Sequence, residues 1–127
     1  MKTKSAKAKA RRLQDEVVTK LRVAFSPYLN DEDIKPAIME MRGTDVLLTE
    51  KARKLIPYSI EAKHQERWDI AAYWKQATDN VGRGTKPLLV VRKNHHESLA
   101  VLQLDEFILL LKTGILDYFK RERGDDE

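Results

Sequence analysis

Glu61 and Lys63 stand two residues apart in the stretch PYSIEAKHQ. In an extended chain, side chains at i and i+2 share a face, so the carboxylate and the ammonium sit together while Ile60 and Ala62 turn the other way. An earlier apolar run, DVLL, opens with Asp45. If the two runs are antiparallel neighbours joined by residues 49–57, Asp45 falls opposite Glu61. Directly opposed side chains have Cβ atoms about 5 Å apart, and two like charges there repel. A divalent cation removes that penalty, and two carboxylates with waters and phosphate oxygens make the ligand set that magnesium takes. Lys63, on the same face, can orient an attacking water or balance charge building on phosphorus. The chemistry these three residues suit is phosphodiester hydrolysis.

An acid-x-Lys triplet is a weak signal taken alone. With 20 acids among 127 residues, chance placement gives roughly two such triplets. Two are present: Glu61-Ala62-Lys63 and Asp33-Ile34-Lys35. The second precedes Pro36 in a segment that reads as turn, with no strand beneath it. Only the first ends a strand and has an acid placed across from it. A surface ion-pair cluster, worth little energetically, accounts for the same three residues without any chemistry.

The elements that must hold these groups follow from periodicity. Leu13, Val17, Val18, Leu21 and Phe25 fall at helical spacing ahead of Pro27, which predicts an amphipathic helix over about 8–25. The segment SPYLNDEDIKPAIMEMRG is turn-rich and admits at most a short helix near 36–41. Strands are expected at 45–48 and 58–63, with room for one helical turn in TEKARKLIP. Ile70, Tyr73, Trp74, Ala77 and Val81 predict a helix over 68–81, ended by the glycines of VGRGT. PLLVVR reads as a buried strand and LAVLQL as another, across the turn NHHES. Asp105 is an expected N-cap for a final helix that breaks at Gly114, before residues 115–119. The order α, β, β, α, β, β, α implies an α/β fold, a central mixed sheet of about four strands flanked by helices.

Composition narrows the setting. A chain of 127 residues supports one domain. There is no cysteine, so neither a disulfide framework nor a zinc-thiolate site is available. The longest apolar runs, about five residues, fall far short of the roughly 20 that cross a bilayer, and none follows the basic start as a signal peptide requires. The expectation is an intracellular, soluble protein with no membrane partner. The first twelve residues hold six Lys or Arg and no acid; subtracting these from the net +4 leaves −2 for the rest. A flexible basic arm, 1–12, is therefore expected ahead of a single domain, 13–127. Lys7, Lys9, Arg11 and Arg12 in that arm suit DNA phosphates, and a solvated tail without a partner fits the same charges.

Taken as an ordered set, Arg11-Arg12-Leu13-Gln14, Met41-Arg42-Gly43-Thr44-Asp45-Val46, Pro57-Tyr58-Ser59-Ile60-Glu61-Ala62-Lys63, Gln76-Ala77, Pro87-Leu88-Leu89-Val90-Val91 and Leu104-Asp105-Glu106-Phe107 resemble the PD-(D/E)xK nuclease superfamily. Within it the likeness is to the phage Holliday junction resolvases related to the archaeal enzymes, over about residues 9–111. The resemblance implies a restriction-endonuclease-like fold. It also implies a homodimeric, magnesium-dependent endonuclease, with manganese able to substitute, that cuts two opposed strands of a four-way DNA junction. Asp45 and Glu61 would bind the metal together with the backbone carbonyl of Ala62, and Lys63 would position the water. The family often places a glutamate from the first helix near the metal. Here Gln14 holds the matching spacing and Glu16 is the nearest glutamate. Gln14 can still hold a water through its carbonyl, without adding charge. Gln76 matches a family glutamine that leans toward the catalytic face. The compartment implied is the cytoplasm, that of a host if the gene is a phage's.

Other residues carry less. His64, directly after Lys63, can donate to a DNA phosphate or simply be solvated. His95 and His96 lie in a hairpin turn with no ligand spacing around them. Tyr73 and Trp74 fall on an apolar stripe and read as core. Lys51, Arg53 and Lys54 form a charge run between the first two strands. Ile115, Leu116, Tyr118 and Phe119 either supply dimer contacts or close the core. Two other functions stay open: a related nuclease acting on other DNA, and a DNA-binding module without catalysis.

Overall fold

The stripe Leu13, Val17, Val18, Leu21 and Phe25 becomes the inner face of a long first helix, α1 (Lys4–Phe25). The computed structural model describes residues 4–38 and 43–124, except for the side chains of residues 115, 116, 118 and 119. The Met41-Arg42 part of the motif and the end of the short helix expected at 36–41 lie outside the described residues. Helix α1 begins at Lys4, so the stretch expected as an arm is helical from that residue on. The cause is local: KSAKAKARR alternates alanine with strong helix formers, and nothing breaks the helix before Pro27. Lys7, Lys9, Arg11 and Arg12 therefore ride on the first turns of α1.

After a short 3-10 turn (Asp31–Asp33) come β1 (Ile34–Pro36), β2 (Val46–Leu48), α2 (Glu50–Leu55), β3 (Tyr58–His64), α3 (Ile70–Asp79), β4 (Lys86–Arg92), β5 (Leu99–Val101) and α4 (Leu104–Glu122). The fold is α/β, but five strands form two sheets rather than one sheet of about four. Strands β1 and β2 pair antiparallel, Ile34 opposite Leu48. Strands β3, β4 and β5 form a mixed sheet in which β3 and β4 run parallel, Glu61 opposite Leu89, and β5 returns antiparallel. The unanticipated strand is β1. Ile34, fully buried, drives it inward, and Pro36 is tolerated because it ends an edge strand.

The second acid-x-Lys triplet thus has a strand under it after all, but its acid is committed elsewhere. Asp33 accepts from the Asn30 amide at 3.0 Å and from the Thr49 hydroxyl at 2.8 Å. Thr49 in turn caps α2 by accepting from the Ala52 amide. These bonds hold the Asp33 carboxyl below its ordinary range, the Asn30 amide being the largest cause.

The core lies between α1 and the sheets: Leu13 and Val18 meet Ile34, Val46, Ile60 and Val90. Arg22 ties the helix to β1 by donating to the Ile34 carbonyl at 2.9 Å. Strand β3 is covered on both faces, by α1 on the side of Ile60 and by α3 on the other. Helix α3 begins at Asp69, whose carboxylate accepts from the Ala72 amide.

Helix α4 runs unbroken through Gly114, where a break was expected, and starts at Leu104, so Asp105 lies in its first turn rather than at its N-cap. One glycine costs a helix about 1 kcal/mol, which the leucines, lysine and isoleucine around it offset. The helix is attached through Glu106, which accepts from the Tyr58 hydroxyl and pairs with Lys86 at 3.1 Å. Burial, and then this bond, push the Tyr58 hydroxyl up to about 12. The Tyr58 bond and Lys86 lower the pKa of Glu106. A lowered acid stabilises the fold above its unfolded value and loses that contribution as pH falls through the folded value. We therefore expect Glu106→Gln to lower the melting temperature at pH 7, with the difference from native closing as the buffer is taken below pH 4. Equal melting temperatures at pH 7 would show that this anchor contributes nothing.

Candidate active site

Asp45 is held at the seam between the two sheets, just ahead of β2. Its amide donates to the Ile60 carbonyl at 2.9 Å, and its carboxylate oxygen Oδ2 accepts from the Ala62 amide at 2.7 Å. It therefore sits beside Glu61, as the supposed pairing placed it. The strand pairing itself is not extended, because a carboxylate rather than a backbone carbonyl takes the Ala62 N–H. The partner of β2 is β1.

Glu61 follows from the alternation of β3. Ile60 and Ala62 face the core under α1, and Glu61 faces α3 and is 4 % exposed. Its oxygens meet two side chains: Oε1 accepts from the Asn80 amide at 3.3 Å, and Oε2 lies 3.7 Å from the Lys63 ammonium. The Lys63 side chain is 15 % exposed and lies over the Tyr73 ring of α3, 5.8 Å from its centroid. Burial raises the pKa of Glu61, and the negative charge of Asp45 raises it further, while Asn80 and Lys63 oppose the shift. A buried acid pressed by a second acid has the electrostatic character of a cation site.

Gln14 and Glu16 separate clearly. Gln14, buried on α1, donates its side-chain amide to the Ala37 carbonyl at 3.0 Å and to the Asp45 carbonyl. It fastens α1 to the segment that carries Asp45. Glu16 is occupied elsewhere, accepting from Arg92 at 2.9 Å and Ser98 at 2.8 Å and pairing with Lys20. Among the described residues no cluster of three or more His, Cys, Asp or Glu is set for a metal. The protein donors at this point are Asp45, Glu61 and backbone oxygen, so a dication there would take its remaining ligands from water or from a phosphate.

Gln76 is exposed on α3 and its side chain is not among the groups meeting Glu61. The side chain that does come from this helix end is Asn80, one turn further on. Sequence reasoning passed over Asn80, although its i+4 spacing from Gln76 puts it on the same helical face. His64 ends β3 beside Arg92, with Nδ1 buried and without a hydrogen-bond partner. Burial lowers its pKa, and the charges of Arg92 and Lys9 lower it further, which brings the first turns of α1 to the same end of the sheet. Lys7 and Lys9 are half-buried there, and Arg11 and Arg12 are exposed. His95 sits in the turn after β4 with a left-handed backbone, φ 64°, as a tight turn requires.

A cleft of about 560 Å³ flanks the site, lined by Thr44, Tyr58, Asn80, Arg53 and Arg83 among others. None of Asp45, Glu61 and Lys63 lines it; Asn80 is the residue shared between cleft and carboxylates. Compared with known families, curated proteins and solved structures, the chain matches no family model, no curated protein and no solved structure.

Proposed function

We propose that this protein is a magnesium-dependent endonuclease of the PD-(D/E)xK kind, selective for branched DNA, that resolves four-way junctions by hydrolysing one phosphodiester in each of two opposed strands. The observation that carries the reading is the meeting of Asp45, Glu61 and Lys63 at one point, two acids that repel and an ammonium 3.7 Å from one of them. The order of the strands around that point, with β1 and β2 ahead of the acid-bearing β3 and the parallel β4 after it, supports a restriction-endonuclease-like core.

Asp45, Glu61 and the Ala62 carbonyl would hold the ion. Bound there, magnesium or manganese would polarise a phosphoryl oxygen. Lys63 orients the attacking water and offsets negative charge as it builds on phosphorus. Gln14 and Asn80 hold the two acids in place, and α3 shields the site from bulk water. Lys7, Lys9, Arg11 and Arg12 on α1, with His64 at the end of β3, are placed to follow the DNA backbone. A two-fold dimer sets one such site on each of two opposed strands of a near-symmetric junction.

The test is cleavage of a labelled four-way junction and of a linear duplex of the same sequence, with magnesium and with chelator. Paired nicks in the junction, dependent on the metal, are expected, with the duplex left intact. Cutting of both substrates would make the protein a nuclease of broader range. Metal-independent binding without cutting would leave a DNA-binding module.

A further inference from the structure

Helix α4 is left largely in water by the chain that carries it. Glu106 is buried against Tyr58 and Lys86, yet Leu104 is 71 % exposed, and the five consecutive apolar residues Phe107 to Leu111 are each about half exposed. A helix that is apolar around its whole circumference is one that expects cover on more than one side. The side facing away from the sheet has a definite pattern. Leu104, Ile108 and Leu111 follow one another at spacings of four and three, and the sequence carries the same spacing on to Ile115 and Tyr118. Ile108 stands about 200° around the helix from Glu106, so this seam points outward from the anchor.

We propose that α4 is a self-association helix, its seam packing against the same seam of a second copy of this chain. An alternation of four and three is the coiled-coil repeat, and its geometric complement is another helix with that repeat. A second copy carries one by construction, and a two-fold pairing buries the identical patch on both partners. The area is of the right size. At roughly 200 Å² for a fully exposed large apolar residue, Leu104 and Phe107 to Leu111 leave about 600 Å² in water, close to the ~800 Å² each partner buries in a stable complex. Phe107, Leu109 and Leu110 flank the seam and widen it. This pairing is a means of relating two active sites by a two-fold axis, but it is independent of the nuclease reading, since it is measured without DNA or metal.

Sedimentation equilibrium of the full chain at micromolar concentrations tests it. The expected mass is twice the 14.7 kDa of one chain. The pair Ile108→Lys and Leu111→Lys, both water-exposed in a single chain, is expected to sediment as a monomer with an unchanged far-UV spectrum. Leu109→Lys, equally exposed but off the seam, is expected to remain dimeric. For the native chain, amide exchange across residues 104–114 should slow as concentration rises, which reads the contact without any substitution. A native chain that is monomeric at all concentrations overturns the proposal, as does a seam variant that stays dimeric or an off-seam variant that dissociates as completely. A monomer that instead floats with phosphatidylglycerol vesicles would assign α4 to a lipid surface and overturn it equally.

Discussion

Asp45→Asn and Glu61→Gln are each expected to lower magnesium-dependent junction cleavage by roughly a hundredfold to a thousandfold or more, the scale on which single preorganised electrostatic groups act. Junction binding should hold or tighten, because one negative charge facing the phosphates is gone. Glu61→Gln has a second expected effect of opposite direction. The folded pKa of Glu61 lies above its ordinary value, chiefly through burial. Between the unfolded and folded values the native chain therefore holds a proton that the unfolded chain has released, and stability falls as pH rises through that interval. The amide removes the penalty, so in chelator at pH 7 Glu61→Gln should melt above the native protein, and magnesium should raise the melting temperature of the native chain more than that of the variant. Cleavage at the native rate by either variant would remove Asp45 and Glu61 from the site. A Glu61→Gln variant less stable than native in chelator would mean that the two acids are not in conflict.

Gln14→Glu is expected to lower unfolding stability by about 3 kcal/mol, the cost of leaving buried acceptors unpaired. The native amide donates to the carbonyls of Ala37 and Asp45. A carboxylate has no donor to offer and sets a negative charge against two carbonyl oxygens at a residue 4 % exposed. Urea titration in chelator measures the loss. Gln14→Leu should lose less, since it drops the hydrogen bonds without burying a charge. If Gln14→Glu matched the native protein in chelator, the amide would not be the fastening that places Asp45. Magnesium that narrowed the gap for Gln14→Glu alone would show the new carboxylate entering the metal shell.

Much of this arrangement was legible in the chain, for local reasons. A strand's two-residue period turns Glu61 and Lys63 to one side and Ile60 to the other whatever the rest of the fold does, and the helical stripe from Leu13 to Phe25 names its own buried face. The proximity of Asp45 to Glu61 followed from a supposed strand pairing. In the structure the proximity is made differently, by one backbone bond and a carboxylate that takes the Ala62 amide. Pattern reading assigned Asp33 to a turn, because Pro36 lies close by and a three-residue strand carries too little periodicity to register. Only packing shows that Ile34 is pulled into the core and that Asp33 is spent on Asn30 and Thr49.

Long-range choices between chemically equal candidates were decided by tertiary structure. Gln76 and Asn80 lie on one face of α3, and which of them meets Glu61 depends on how far along β3 that helix ends. Gln14 and Glu16 lie two residues apart on α1, and about 200° of helical rotation sends one to Asp45 and the other to Arg92. The chain by itself determined the residue types, their faces and the conflict between two acids, because these follow from backbone periods of two and 3.6 residues. The fold decided which side chains answer that conflict, because contacts across tens of residues depend on where whole elements stop and how they pack.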